Sequence, residues 1–285
     1  MSQPTAPTAH HVHHTSTGDQ AEILDLDAEV LAEHIASIVD RLPVEADPRH
    51  IVDLGAGTGA GTLALLERFP GAEVTAVDSS AAHLHRLREK AAAAGATGRV
   101  RLLQADLDAE TWPRLGTPEL VWASASLHHM ADPDRALRRI HGLLAPDGLL
   151  AVVELAGFPR FLPADAPEDA PGLEERCHAA LGRHHGAEHV THRGADWGSK
   201  LAGAGFAVAD ERTLAVRVDA AHSEAVGRYA LSSLRRMRGG AADALAPEDL
   251  AALDRLLDLG SPHGVLRRGD LSVRTERTVW AARPA

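Results

Sequence analysis

A chain of 285 residues, 45% hydrophobic and 24% charged, is long enough for one large or two modest globular domains. Its formal net charge of -11 argues against nucleic acid or an acidic membrane surface as partner, because either calls for a basic face. A single cysteine, Cys177, excludes an intrachain disulfide, no apolar run approaches a membrane span, and the opening residues carry no signal-like core, so a cytoplasmic address is expected.

Residues 1–20, rich in Pro, Thr, Ser and His without periodicity, read as a flexible arm. His10, His11, His13 and His14 have no carboxylate or cysteine beside them, and no metal site is assigned to them. From Ile23 to Leu42 the apolar positions Leu24, Leu31, Ile35, Ile38 and Leu42 recur at helical spacing, which predicts one docking helix ended by Pro43.

The stretch IVDLGAGTGAGTLALLERFP, residues 51–70, is the one the rest is placed around. Ile51, Val52 and Leu54 suit a buried parallel strand with Asp53 as its one charge. Gly55, Gly57 and Gly59 let the backbone turn sharply and approach a ligand, and a helix resumes near Ala60. The dinucleotide pattern G-x-G-x-x-G fails here, because the third glycine would have to stand where Ala60 or Thr62 does. An NAD-linked oxidoreductase is disfavoured on that ground.

What stands instead, D-x-G-x-G-x-G over Asp53 to Gly59, resembles the first motif of class I S-adenosylmethionine (SAM) dependent methyltransferases. The likeness continues in EVTAVDSS, where a β-branched strand ends in Asp78 one βαβ unit after the loop. An acid there accepts hydrogen bonds from the ribose hydroxyls of an adenosine; the other reading makes Asp78 an N-cap, a place Ser79 or Ser80 also fills. His83 and His85, near the start of the following helix, read as surface residues. After a third strand, Val100 to Gln104, the resemblance puts Asp106 on the adenine amino group and the Leu107 amide against the ring; alternatively Asp106 caps a short helix beginning near Asp108.

A fourth strand, Glu119 to Ser124, runs into Leu127-His128-His129 and a helix started by Asp132-Pro133, which resembles the small-molecule branch of these methyltransferases, and L-x-P-x-G, a further likeness, follows before a fifth strand through Leu155. Ala123 and Ser124 are expected along the methionine side of the cofactor. His128 and His129 are the candidate catalytic residues, either as a base or as pocket-shaping groups, with His128 expected close to the cofactor. The cofactor set implied by the resemblance is Asp53, Gly55, Ala56, Gly57, Thr58, Gly59, Asp78, Ser79, Asp106, Leu107, Ala123, Ser124 and His128, holding SAM.

The expected fold is α/β, a Rossmann-like doubly wound, mostly parallel seven-stranded sheet with helical cap insertions. Residues 21–156 form the SAM-binding core, 157–194 a proline-rich cap, and 195–285 the completion of the sheet with a helical insertion at about 220–265. Within the cap, His185, His189 and His192 have helical spacing but little acidic support, and no metal is assigned there. Two functions are carried: methyl transfer to an O, N or C atom of a small molecule, in secondary metabolism, and SAM binding in a regulatory or assembly role without transfer. A homodimer is left open.

Overall fold

The computed structural model describes residues 17–184 and 192–285, and the side chains from residue 20 to 182 and from 192 onward. Histidines 10, 11, 13, 14, 185 and 189 lie outside the described residues. Seven strands form one sheet: β1 (His50–Leu54), β2 (Glu73–Asp78), β3 (Val100–Gln104), β4 (Leu120–Ser124), β5 (Leu149–Leu155), β6 (Phe206–Asp219) and β7 (Ser272–Pro284). Their spatial order is β3-β2-β1-β4-β5-β7-β6. The first five are parallel, and β7 runs antiparallel to both β5 and β6.

Ile51, Val52 and Leu54 of β1 have no exposed surface, so both faces of the sheet are covered, which is why this strand reads as an unbroken apolar run. On one face α2 (Ala32–Asp40), α3 (Ala60–Arg68) and α4 (Ala81–Ala93) pack through residues such as Ile38, Leu65, Phe69 and Leu87. On the other, α5 (Pro133–Leu143) and α7 (Trp197–Gly203) bring Leu137, Ile140 and Trp197 onto Val52, Val121 and Val152. Caps fix the helix starts: Ser80 Oγ accepts from the His83 N–H at 3.3 Å and Asp132 from the Arg135 N–H at 2.8 Å, with Pro133 in the first turn.

A third apolar cluster joins α1 (Thr17–Val30), α6 (Leu173–His184), α8 (Ala225–Gly240) and α9 (Pro247–Leu257) with Val216 and Val273 of the long β6–β7 pair. Cys177 is fully buried there, and burial pushes its thiol up to about 11.

Three expectations are corrected. The single helix from Ile23 to Leu42 is two, broken at Leu31, whose φ of -104° and ψ of 13° leave the helical region. The physical reason is that its apolar stripe serves two partners: Leu26 and Val30 face α8, whereas Ile38, Val39 and Leu42 face the sheet. Thr17 already belongs to α1, inside the segment expected to be a loose arm. No helix starts near Asp108; Asp106 Oδ1 accepts the Asp108 N–H at 2.8 Å and closes a turn instead.

The sheet order reverses at β1 and β4, and a cavity of about 360 Å³ opens at the carboxyl ends of the strands there. Its volume falls in the range of roughly 300–1,000 Å³ usual for small-molecule sites.

Candidate cofactor site

The glycine loop forms the floor of the cavity and spends its amides on its neighbours. Gly55 and Ala56 N–H groups donate to Val77 O at 2.8 and 3.0 Å, tying the loop to the end of β2. Gly57, at φ +53°, donates to Asp78 Oδ2 at 2.8 Å. A Cβ on Gly59, at φ +96°, would stand 2.1 Å from Leu87 Cδ1, so α3 and α4 approach here only because that atom is missing.

Asp78 is the hub. Its Oδ1 accepts from Ser80 N–H at 2.8 Å and faces His83 Nδ1 at 3.2 Å. Burial works against its charge, but the hydrogen bonds from His83, Ser80 and Gly57 outweigh it and hold the carboxyl below its usual range. A carboxylate offers about four acceptor positions and three are taken, so a ligand that uses both oxygens must displace the His83 ring. Asp53 is different: burial pushes its carboxyl from 3.8 up to about 7, against a 2.6 Å hydrogen bond from Thr62 Oγ1, and the charge of Asp78 adds to the rise.

Of the residues singled out from sequence, Asp53, Gly55, Ala56, Gly57, Thr58, Asp78, Ser79, Asp106, Leu107, Ser124 and His129 line the cavity together. Gly59, Ala123 and His128 do not. Gly59 is the N-terminal cap of α3 and Ala123 is fully buried in the sheet. His128, 1% exposed, points the other way: its Nδ1 lies 2.5 Å from Glu154 Oε2, and Glu154 Oε1 accepts the Leu127 and His128 N–H groups at 2.9 and 3.2 Å. Its Nε2 is 3.4 Å from Arg193 Nη2, and since a guanidinium only donates, this fits the tautomer with its proton on Nδ1. Both ring nitrogens therefore have partners, Glu154 on one side and Arg193 on the other. His129, exposed, packs against it with ring centroids 4.1 Å apart and the planes tilted by 42°. His83, expected on the surface, has a half-buried ring on the cavity wall; His85 is exposed.

Other wall residues were not foreseen. Gln20, Leu24 and Asp27 come from α1, Trp122 from β4, Ser126 and Met130 from the β4–α5 loop, and Arg277 from β7. Ala125, at φ +50°, holds a strained left-handed backbone beside them. One signal for Arg277 was available: it stands in phase with Val279 and Ala281, at a position of β7 whose alternation demands burial.

The residues present fit SAM. Buried polar atoms without protein partners, Gln20 Oε1, Ser126 Oγ and Arg277 Nε, belong to wall residues, and the glycine bend leaves a cradle in which a Cβ at Gly57 would touch only Leu24. Among the described residues no group of three His, Cys, Asp or Glu is arranged to hold a metal, and no helix is long and apolar enough to cross a membrane.

Residues 52–150, the stretch that carries the glycine cradle, match the family model described as a methyltransferase domain. The chain is 41% identical over 117 residues to a trans-aconitate 2-methyltransferase from Methylobacterium radiotolerans, covering 41% of this chain and 42% of that protein. It is 40% identical over 121 residues to a malonyl-[acyl-carrier protein] O-methyltransferase from Halorhodospira halophila, covering 42% and 40%. The chain thus spans about two fifths of the length of these curated relatives. In fold it is similar to a putative methyltransferase from Bacillus halodurans, with TM-score 0.56, 17% identity, and 88% and 99% of the two chains covered. The [4+2]-cyclase SpnF shares the fold at TM-score 0.52 and 19% identity, over 88% and 81%.

Proposed function

We propose that this chain transfers a methyl group from SAM to an O, N or C atom of a small molecule. The observation that carries the reading is Asp78 with one oxygen on the Gly57 N–H, on the wall of a cavity of one-ligand size. Asp78 and Ser79 hold the ribose, Asp106 and Leu107 the adenine, and the glycine loop and Ser124 the remainder. Bound SAM supplies an activated methyl group; the chain orients the acceptor and keeps water out.

Occupation of both His128 nitrogens favours an acceptor that needs no proton removed. The two relatives are named for acceptors that carry a carboxyl group, and a carboxylate is already ionised near neutral pH. Carboxylic acids are therefore the first acceptors to try, with secondary metabolites as the wider panel, and His129 on the cavity wall is the remaining base candidate for hydroxyl or amine acceptors. The same observation keeps the second reading alive, a SAM-binding protein without transfer, since a shared fold does not fix chemistry.

The test is calorimetric titration with SAM, S-adenosylhomocysteine and NAD, followed by mass detection of methyl gain on carboxylate, hydroxyl and amine panels. SAM and S-adenosylhomocysteine are expected to bind and NAD not to; binding without S-adenosylhomocysteine formation on any acceptor supports the second reading, and NAD binding alone overturns both.

A further inference from the structure

Asp27 and Arg277 lie outside the stretch matched by the family model, 250 residues apart in sequence, yet both line the cavity. Arg277 Nη2 donates to both Asp27 oxygens, at 2.8 and 2.7 Å, and the Tyr229 hydroxyl donates to Asp27 Oδ1 at 2.8 Å. Arg277 is 6% exposed and its Nε is buried without a partner. Arg277 is withdrawn from water while the Asp27 side chain, 20% exposed, still faces the cavity, so the pair stands where a ligand can reach it.

Their place relative to the loop is fixed by a continuous set of contacts. Asp78 holds the Gly57 amide, and Leu24 Cδ1 lies 3.4 Å from where a Gly57 Cβ would be. Asp27 is three residues further along α1, on the same helix face as Leu24, and it carries Arg277. The pair therefore sits beyond the glycine loop from Asp78. A lone anion placed there would meet the carboxylate of Asp27 as well as the guanidinium. A zwitterion brings one charge of each sign and re-partners the pair instead of breaking it.

We propose that Asp27 and Arg277 receive the amino-acid end of the cofactor, its α-ammonium on Asp27 and its α-carboxylate on the unspent donors of Arg277. This rests on the SAM reading above and adds the residues, one from α1 and one from β7, that recognise the end remote from adenosine. It also makes α1 part of the cofactor site.

The experiment is calorimetry with two probes that share the nucleoside: S-adenosylhomocysteine, which has the amino-acid end, and 5′-methylthioadenosine, which lacks it. In Arg277→Met, S-adenosylhomocysteine affinity is expected to fall on the order of tenfold to a hundredfold, while 5′-methylthioadenosine affinity stays within about twofold and certifies the folded pocket. Arg277→Lys, which keeps the charge and loses the fork, is expected to show a smaller loss with the same selectivity, and it decides the matter if the methionine variant does not fold. Unchanged S-adenosylhomocysteine affinity overturns the proposal. So does an equal fall for both probes, which would mean that the pair only holds α1. Failure of the unsubstituted protein to bind S-adenosylhomocysteine would instead remove the SAM reading itself.

Discussion

The two walls of the cavity are held by different physics. The sheet-side wall is made from backbone: the glycine loop on Val77 O, Asp78 on the amides of Gly57 and Ser80, and Glu154 on those of Leu127 and His128. The α1 wall is stitched by charged side chains, Asp25 to Arg86 and Lys90, Asp27 to Arg277, and Glu29 to Arg228. Backbone groups are fixed once the strands pair, whereas ion pairs depend on exposure and salt. The first wall is thus rigid by construction, and the second is the one a ligand or a change of medium can loosen.

Glu154→Ala is expected to give the largest effect, since it leaves two buried amides and His128 Nδ1 without an acceptor. It should destabilise the fold by about 3–5 kcal/mol in urea unfolding, with Glu154→Gln recovering part of the loss. A loss below about 1 kcal/mol would remove the rigidity assigned to the sheet-side wall.

Next comes Asp53→Asn. A carboxyl raised from 3.8 to about 7 by burial destabilises the fold when ionised, and that penalty grows as pH rises from about 4 to 7 and is constant above. The asparagine variant should therefore be more stable than the parent at pH 8, by about 2–4 kcal/mol, with the advantage shrinking as pH falls through 7 toward 4. Thermal melts of the pair across that window check the sign.

Asp78→Ala should weaken SAM affinity by about 1.5–3 kcal/mol, read by calorimetry, and a His83→Ala variant should bind no worse than the parent, because it frees the acceptor position that the ligand needs. The smallest expected effect is on the α1 wall: Arg228 and Glu29 are 57% and 54% exposed, so Arg228→Ala should change stability by less than about 1 kcal/mol, and less still at high salt. A large effect there would erase the contrast between the walls.

The same contrast explains what was legible in the sequence. The parallel strands and the glycine cradle follow from local signals, namely apolar runs, glycine spacing, and the caps at Ser80 and Asp132, each read within one βαβ unit. The break at Leu31 was not legible, because it depends on α8 and the sheet competing for one apolar stripe. The ring direction of His128 was not legible, because it is set by Glu154, 26 residues away on another strand. The Asp27 and Arg277 pair was beyond reach for the same reason on a longer scale: neither residue has a local partner, and only the insertion of β7 between β5 and β6 brings them together.

That insertion has a consequence for how the chain comes together during synthesis. β6 ends at Asp219 and its sole neighbour in the sheet begins at Ser272, so β6 leaves the ribosome as an unpaired ribbon until some fifty further residues have followed. The strand that completes the sheet is also the one that delivers Arg277. Nascent chains stalled ahead of Ser272 would therefore carry the glycine cradle without its Arg277 side, and the contact proposed for the amino-acid end of the ligand would be the last to arrive.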